Sequence, residues 1–140
     1  MERAKRQTSQ PRDGDVAPRR TTPPDRATLG RYGERMAERY LRERGITVLE
    51  RNWRCALGEI DLIALDGDCL VVCEVKARSG VGYGTPVEAV DWRKLARLRR
   101  LAGVWLAEHP GAYPSVRIDV VGVLLPSSGR PVLWHLAGVG

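Results

Sequence analysis

The fold is decided by residues 58–76, which read GEIDLIALDGDCLVVCEVK. Two apolar runs, each long enough for a strand, lie on either side of the dipeptide Asp66-Gly67. This dipeptide favours a two-residue type I′ hairpin turn, because both central positions of that turn need a positive φ. We therefore predict two antiparallel strands, the first over about 53–65 and the second over about 68–76.

Three of the charged side chains within these runs are placed on one face of the sheet by the predicted hairpin, while Glu59 alternates onto the opposite face. Glu74 and Lys76 are two residues apart, so in a strand they point the same way. The two-residue turn pairs Asp61 with Val72, which puts Asp61 diagonal to Glu74 on that face. A three-residue turn would instead put the two carboxylates on opposite faces.

Two carboxylates beside a lysine in an apolar setting have two interpretations. Neighbouring carboxylates repel each other unless a cation lies between them, and oxygen ligands of this kind suit Mg²⁺ or Mn²⁺. Lys76 would then position an attacking water molecule or the phosphate next to the metal ligands Asp61 and Glu74. Alternatively, the three side chains form a structural salt bridge at the end of the strands. The residues alone leave both interpretations open.

The remaining periodicity predicts two helices and three further strands around the hairpin. Thr28 is suited to cap the first helix, and the capping box Thr85-Pro86-Val87-Glu88 is suited to open the second. The predicted bounds are a helix at 28–44, a strand at 46–50, the two hairpin strands, a helix at 85–107, and strands at 116–125 and 132–137. The order αβββαββ predicts an α/β fold with a mixed central sheet flanked by helices.

Composition indicates one globular domain with a basic extension. The chain has 140 residues, 43% of them hydrophobic, and a net charge of +6, which is a mild argument for a polyanionic partner. Residues 1–27 lack apolar periodicity, so we predict a disordered basic N-terminal arm, followed by a single domain at 28–140. With no apolar run of membrane-spanning length and no secretory signal, a cytoplasmic location is the simplest interpretation.

Two sequence phrases resemble the YraN-like family of bacterial proteins. They are GEIDLIA at residues 58–64 and VCEVKAR at residues 72–78, combined with Gly33-Glu34 on the preceding helix. That family is related to Holliday junction resolvases within the PD-(D/E)xK nuclease superfamily, and the resemblance covers about residues 29–136. It implies a restriction-endonuclease-like core and Mg²⁺- or Mn²⁺-dependent cleavage of DNA, branched DNA being one candidate. Junction resolvases cut two strands symmetrically as dimers, so a homodimer is also compatible with the resemblance.

The resemblance implies a role for each site residue. Asp61 matches the first metal-binding carboxylate, Glu74 the second, and Lys76 the catalytic lysine. Glu34 matches the helix-borne acid that completes the site in resolvase-like members. Ile60 replaces the proline of the motif's name, which removes no chemical group from the site.

Helical spacing agrees with a site role for Glu34. This residue shares a helix face with Ala37 and Leu41 and borders the buried stripe. Glu38, one turn later, is the competing acid, either solvated or paired with Arg42.

Four basic residues around the hairpin and the second helix are candidate contacts for nucleic-acid phosphates: Arg54, Arg78, Lys94 and Arg97. A plain solvated surface explains them equally well.

A few other residues have side chains that could serve in a site, but a structural role is the simpler interpretation for them. Trp92 and Tyr83 could stack on bases, with core packing as the alternative. Asp119, inside an apolar strand, is predicted to be structural, and His109 and His135 fit no general-base arrangement.

Three functions from different classes are compatible with the sequence. The first is a metal-dependent endonuclease, which an intact set of acids favours. The second is a nucleic-acid-binding module that keeps the fold and turns over little or no substrate; Mg²⁺-independent binding would favour it. The third is a structural partner in a DNA-processing assembly, which would bind no nucleic acid itself.

Overall fold

Two helices and a six-stranded mixed sheet make up the computed structural model, which describes residues 4–7, 24–80 and 91–139. The strands are β1 Ala4–Gln7, β2 Thr47–Cys55, β3 Gly58–Asp66, β4 Cys69–Ser79, β5 Ser115–Leu125 and β6 Val132–Leu136, and the helices are α1 Arg26–Glu43 and α2 Trp92–Glu108. In the sheet the order is β1-β6-β5-β4-β3-β2, with β4 and β5 parallel and every other pair antiparallel. From α1 onward the order is αβββαββ, which confirms the predicted fold class and is consistent with an α/β nuclease-like core.

Helix α1 begins earlier than the sequence predicts. The Asp25 carboxylate accepts a hydrogen bond of 2.7 Å from the backbone N–H of Thr28, so Asp25 rather than Thr28 is the N-cap. Both residue types cap helices well, and the sequence alone does not separate them. The helix ends before Gly45, whose φ of 79° suits glycine.

Strand β3 is shorter than predicted because a second hairpin precedes it. Cys55 pairs with Gly58 across the two-residue turn Ala56-Leu57, which divides the predicted strand at 53–65. Gly58 has a φ of 142°, a conformation that few other residues adopt. No Asn-Gly or Asp-Gly dipeptide marks this turn, and the lone glycine is its only sequence signal.

The β3–β4 turn is displaced by one residue from the prediction. Asp66 pairs with Cys69, so the central turn residues are Gly67 and Asp68. Among the described residues, positive φ outside glycine occurs only at Asn52, so Asp68 has a negative φ and the turn has the glycine-first pattern of type II′. The displacement shifts the register by two residues, which preserves the face on which each side chain lies.

Two apolar clusters cover the two faces of the sheet. Helix α1 packs on one face and helix α2 on the other. The α1 cluster includes Met36, Ala37, Tyr40, Leu41, Leu62, Val71 and Cys73, and the α2 cluster includes Ile60, Ile63, Leu70, Val72, Leu95, Leu98 and Leu101.

Helix α2 begins at Trp92, later than predicted. Asp91 is extended, and its carboxylate accepts hydrogen bonds from the backbone N–H groups of Arg93 and Lys94. An extended Asp91 interrupts the helix that the sequence predicted from Thr85. The capping box at 85–88 lies outside the described residues, as does Tyr83.

The N-terminal arm contains a strand, which corrects the prediction of disorder for Ala4–Gln7. These four residues pair antiparallel with residues 133–136 of β6. An uncovered β6 would be a sheet edge with open backbone groups, and backbone pairing needs no apolar side chains. Residues 1–3 and 8–23 of the arm lie outside the described part of the chain. Within that part, no helix is long and apolar enough to cross a membrane.

Candidate active site at the divergence of strands β3 and β4

The acid side chains of interest lie where β3 and β4 separate. Leu62 and Cys73 form the last residue pair at this end of the ladder. Ile60 and Ile63 both pack in the α2 cluster although they are three residues apart, so the strand alternation is interrupted between them. At this interruption the Asp61 carboxylate accepts a hydrogen bond of 2.8 Å from the backbone N–H of Val75.

Asp61 is held in a setting that opposes its ionisation. Burial raises the pKa of Asp61 to about 6, against the hydrogen bond from Val75, which lowers it. The negative charges of Glu34 and Glu74 raise the pKa further. The structure therefore brings Glu34 from α1 and Glu74 from β4 within electrostatic reach of Asp61.

Glu74 lies between two lysines. Its Oε2 atom is 3.6 Å from Lys76 Nζ and 3.8 Å from Lys94 Nζ. Burial lowers the pKa of Lys76, and so does the neighbouring Lys94, while the charge of Glu74 raises it. The ammonium of Lys76 thus lies beside Glu74, as predicted from their spacing along the strand. Lys94, predicted as a candidate phosphate contact, reaches the same carboxylate from the start of α2.

A close approach of α1 to β4 positions Glu34. Gly33 is buried, and a Cβ atom there would lie 2.7 Å from the Cβ of Ala77. Only glycine lets the helix backbone come this near to the strand. The next residue, Glu34, is thereby held where its charge acts on Asp61.

The donor chemistry suits a hard divalent cation, while the side-chain arrangement is not that of a preformed ligand set. Asp61, Glu74 and Glu34 would offer only carboxylate oxygens, the ligands that Mg²⁺ prefers. Across the described residues, however, no three or more His, Cys, Asp or Glu side chains are grouped so that they could hold an ion. Oε2 of Glu74 is engaged by the two lysines. Metal binding would require these side chains to draw together.

Of the four predicted phosphate contacts, only Lys94 joins the acids. Arg54 pairs with Glu59 across the β2–β3 hairpin at 2.9 Å, in an exposed position. Arg78 donates to the backbone carbonyl of Ala77. Arg97 is exposed on α2, with its side chain near Gly58 at the hairpin turn.

Glu38, the competing acid on α1, is fully engaged in ion pairs. It pairs with Arg42 at 2.6 Å, as the alternative predicted, and also with Arg51 of β2. The hydrogen bond from Arg51 lowers the pKa of Glu38 and outweighs its partial burial. This acid is therefore part of the α1–β2 packing rather than of the Asp61 site.

The sequence missed a buried polar network on the other side of β4. Asp119 is fully buried; it accepts hydrogen bonds from His135 Nε2 at 2.7 Å, from Arg117 Nε at 3.0 Å and from the backbone N–H of Gly138. Because the carboxylate only accepts, Nε2 of His135 donates to it, and Nδ1 of His135 lies 3.1 Å from the Tyr40 hydroxyl oxygen, within hydrogen-bond distance.

This network gives His135 and Asp119 defined structural roles. Burial acts to raise the pKa of Asp119, but the hydrogen bonds from His135 and Arg117 prevail and hold the pKa below its usual value. The structural role predicted for Asp119 fits these contacts. His135 does more than the sequence suggested, since it connects α1 to β5. An aspartate inside the apolar run of β5 was the available signal.

The fold and the acids and lysines at the β3–β4 divergence define a mixed α/β protein with a charged site at the end of its central strands. The model of "Uncharacterised protein family UPF0102" matches residues 33–123, a region that contains Glu34, Asp61, Glu74, Lys76 and Lys94. The chain belongs to this family, which confirms the predicted YraN-like membership.

Several relatives carry the name UPF0102 protein. One from Kineococcus radiotolerans is 62% identical over 112 residues, which cover 79% of this chain and 92% of the relative. One from Streptomyces griseus is 56% identical over 115 residues, covering 81% and 97% of the two chains. A third, from a Nocardioides species, is 54% identical over 112 residues, covering 80% and 90%.

Proposed function

We propose that this chain is a metal-dependent DNA endonuclease of the PD-(D/E)xK superfamily, with branched DNA as a candidate substrate. The observation that carries the proposal is the setting of Asp61, a partly buried carboxylate with a pKa of about 6 that is raised in part by Glu34 and Glu74. Buried charges in proteins are normally paired or bound to a metal. Binding of one or two Mg²⁺ or Mn²⁺ ions would explain why these acids lie close together.

The acids and the lysines have different proposed roles: the acids bind the metal ion, and the lysines contact the water or the phosphate. Asp61 and Glu74 are the proposed metal ligands, with Glu34 as an additional ligand from α1. A bound Mg²⁺ or Mn²⁺ would lower the pKa of a coordinated water and offset charge on phosphate oxygens. Lys76 holds its ammonium next to Glu74, where it can orient the attacking water or the phosphate. Lys94 adds a second positive charge at the same carboxylate.

A second candidate, a nucleic-acid-binding module with little or no catalysis, has an observation of its own in its favour. The two lysines at Glu74 already neutralise that acid without a metal ion. Such a protein would bind DNA through its cations, and binding would be equally strong in Mg²⁺ and in chelator.

The decisive experiment combines metal titration with cleavage assays. Calorimetric titration of Mg²⁺ or Mn²⁺ is expected to give binding to wild type and a large loss of affinity in Asp61→Asn and Glu74→Ala. Lys76→Ala should bind metal as well as wild type or slightly better, because a cation beside the ligands is removed. Cleavage of labelled branched and linear DNA should fall at least about 100-fold in Lys76→Ala, as when a stabilising donor is removed from an active site.

Glu108→Gln, an exposed acid at the far end of α2, is the matched control and should leave metal affinity and cleavage unchanged. Metal-independent DNA binding without cleavage would favour the binding module. No metal binding, together with a large fall in the melting temperature of both acid variants in chelator, would identify a structural salt bridge and refute the proposal.

The cytoplasmic location and the homodimer stay predictions. Light scattering of the purified chain tests the second directly.

A further inference from the structure

A groove lined by arginines runs along the side of α1 that faces β2. Its volume is about 840 Å³, and its walls are formed by α1 and by Arg51-Asn52 of β2. Five arginines and three glutamates line it, which leaves a net positive charge of two. We call it the arginine groove, after Arg31, Arg35, Arg39, Arg42 and Arg51.

One side of the groove is fixed by ion pairs between the buried Glu38 and two exposed arginines. Glu38 holds Arg51 and Arg42, and this ties β2 to α1 along the base of the groove. The backbone of β2 is also irregular there. Its register shifts between Val48 and Glu50, and Asn52, on the groove wall, has a positive φ of 50°. Bulges and positive φ at a non-glycine residue redirect side chains and often accompany functional surfaces.

The other side presents a regular row of positive charge. Arg31, Arg35 and Arg39 are four residues apart, so they follow one side of α1 at intervals of about 6 Å. An extended nucleic-acid strand has phosphates at a similar interval. Arginine suits this role because its guanidinium can donate two parallel hydrogen bonds to one phosphate.

The groove also leads to the candidate active site. Glu34 lines the groove, and its charge acts on Asp61. A strand lying along the row of arginines would therefore pass Glu34, whose charge acts on Asp61. The groove and the site share a wall and can act on one molecule.

We infer that the arginine groove binds a single-stranded segment of nucleic acid next to the phosphate to be cleaved. The inference rests on the proposed endonuclease function and names the path of its substrate. A volume of about 840 Å³ accommodates a few nucleotides. The lining residues, all within the described part of the chain, include no aromatic side chain. Binding should therefore follow the backbone phosphates and show no base preference.

The test is a binding measurement in chelator, using fluorescence anisotropy of a labelled 12-nucleotide single strand and of the matching blunt duplex. Wild type should bind the single strand more tightly than the duplex. Arg31→Ala combined with Arg35→Ala should weaken single-strand binding at least tenfold. The slope of log affinity against log salt should become shallower by about 1.4, since two phosphate contacts are lost.

Arg93→Ala combined with Arg100→Ala is the matched control. It removes the same charge from exposed positions on α2, on the opposite face of the sheet, and should change affinity less than about twofold. All four arginines are exposed, so melting curves should show both double variants folded. An equal loss in the two double variants, a preference for the duplex, or no binding by wild type would overturn the inference.

Failure of this inference and failure of the proposed function are distinguishable. If cleavage persists with Mg²⁺ while the groove variant binds like wild type, the substrate takes another path. If the groove variant loses affinity in chelator but no metal-dependent cleavage is found, the groove binds nucleic acid in a protein that does not cut it. The second result contradicts the proposed endonuclease function but supports nucleic-acid binding by the arginine groove.

Discussion

Asp61 and Asp119 lie on either side of β4, and their surroundings differ in almost every respect. Asp119 is opposite Cys73 on the parallel strand β5, and three groups donate hydrogen bonds to it. Asp61, at the antiparallel side, receives one hydrogen bond from the described residues, from the backbone N–H of Val75, and its pKa is raised by the charges of three acids. The pKa of Asp119 lies below its usual value, and that of Asp61 is raised to about 6.

These surroundings separate a structural acid from a functional one. An aspartate whose oxygens are satisfied by an arginine, a histidine and a backbone N–H belongs to the framework. One that is enclosed without enough donors costs stability, and such perturbed acids gather at sites that bind a cation or exchange a proton. The structural role of Asp119 and the functional role of Asp61 can therefore be tested without any substrate.

The largest effect is expected for Asp119→Ala. Removing this carboxylate leaves Arg117 and His135 without their buried partner, and breaking such a pair costs about 3–5 kcal/mol. Urea denaturation followed by circular dichroism would measure it as a lower midpoint with an unchanged slope. A loss below about 1 kcal/mol would show that the network contributes little and would remove the contrast between the two aspartates.

Asp61→Asn should instead raise the free energy of unfolding at neutral pH. The folded pKa of about 6 exceeds the usual value of 3.8, so the folded protein binds more protons than the unfolded chain between these values. Wild-type stability should therefore fall as pH rises from about 4 to 6, by up to about 3 kcal/mol relative to the asparagine variant, which cannot ionise.

Unfolding free energies of both proteins in chelator, from pH 4 to pH 7, measure this difference. The unfolding free energies of the two proteins should be similar at pH 4. Towards pH 7 the variant should become more stable than wild type. For Asp119 the sign is reversed, because its lowered pKa contributes stability at neutral pH that is lost on acidification. An asparagine variant less stable than wild type throughout the range would make Asp61 a structural acid.

The proximity of Glu74 and Lys76 was predictable because it depends on alternation along one strand. The predicted turn was displaced by one residue and its type was wrong, but the two-residue shift keeps the faces of the paired residues 62–66. The position of Asp61 was not predictable in this way, because the alternation of β3 is interrupted between Ile60 and Ile63. The lengths of the strands were harder to predict, since Gly58 was the only sequence signal for the β2–β3 hairpin.

Contacts between distant parts of the chain were not predictable in the same way. Tyr40 and His135 are 95 residues apart, and no periodicity relates them. Lys94 reaches Glu74 only because α2 crosses the sheet at a particular place. Such contacts follow from helix docking, which a single sequence specifies only through the whole pattern of its core.

The smallest of the expected effects concerns the glycine that brings α1 to the site. Gly33→Ala places a Cβ atom 2.7 Å from the Cβ of Ala77, and neither atom can move without its backbone. The helix must shift away from β4, at a cost of about 1–3 kcal/mol, as for other overpacked positions. Gly30→Ala, on the same helix, meets no atom within 4 Å and should instead stabilise the protein by about 0.5–1 kcal/mol.

The same pair of variants distinguishes the two aspartates. A shift of α1 near Gly33 moves Glu34 away from Asp61 and removes part of the repulsion that raises the pKa of Asp61. NMR titration of the side-chain carboxyl signals should show this pKa falling in Gly33→Ala and unchanged in Gly30→Ala. The pKa of Asp119 should stay low in both, because His135, Arg117 and Gly138 hold it from outside α1. An equal change at both aspartates would mean that α1 moves as a whole and that Gly33 does not position Glu34.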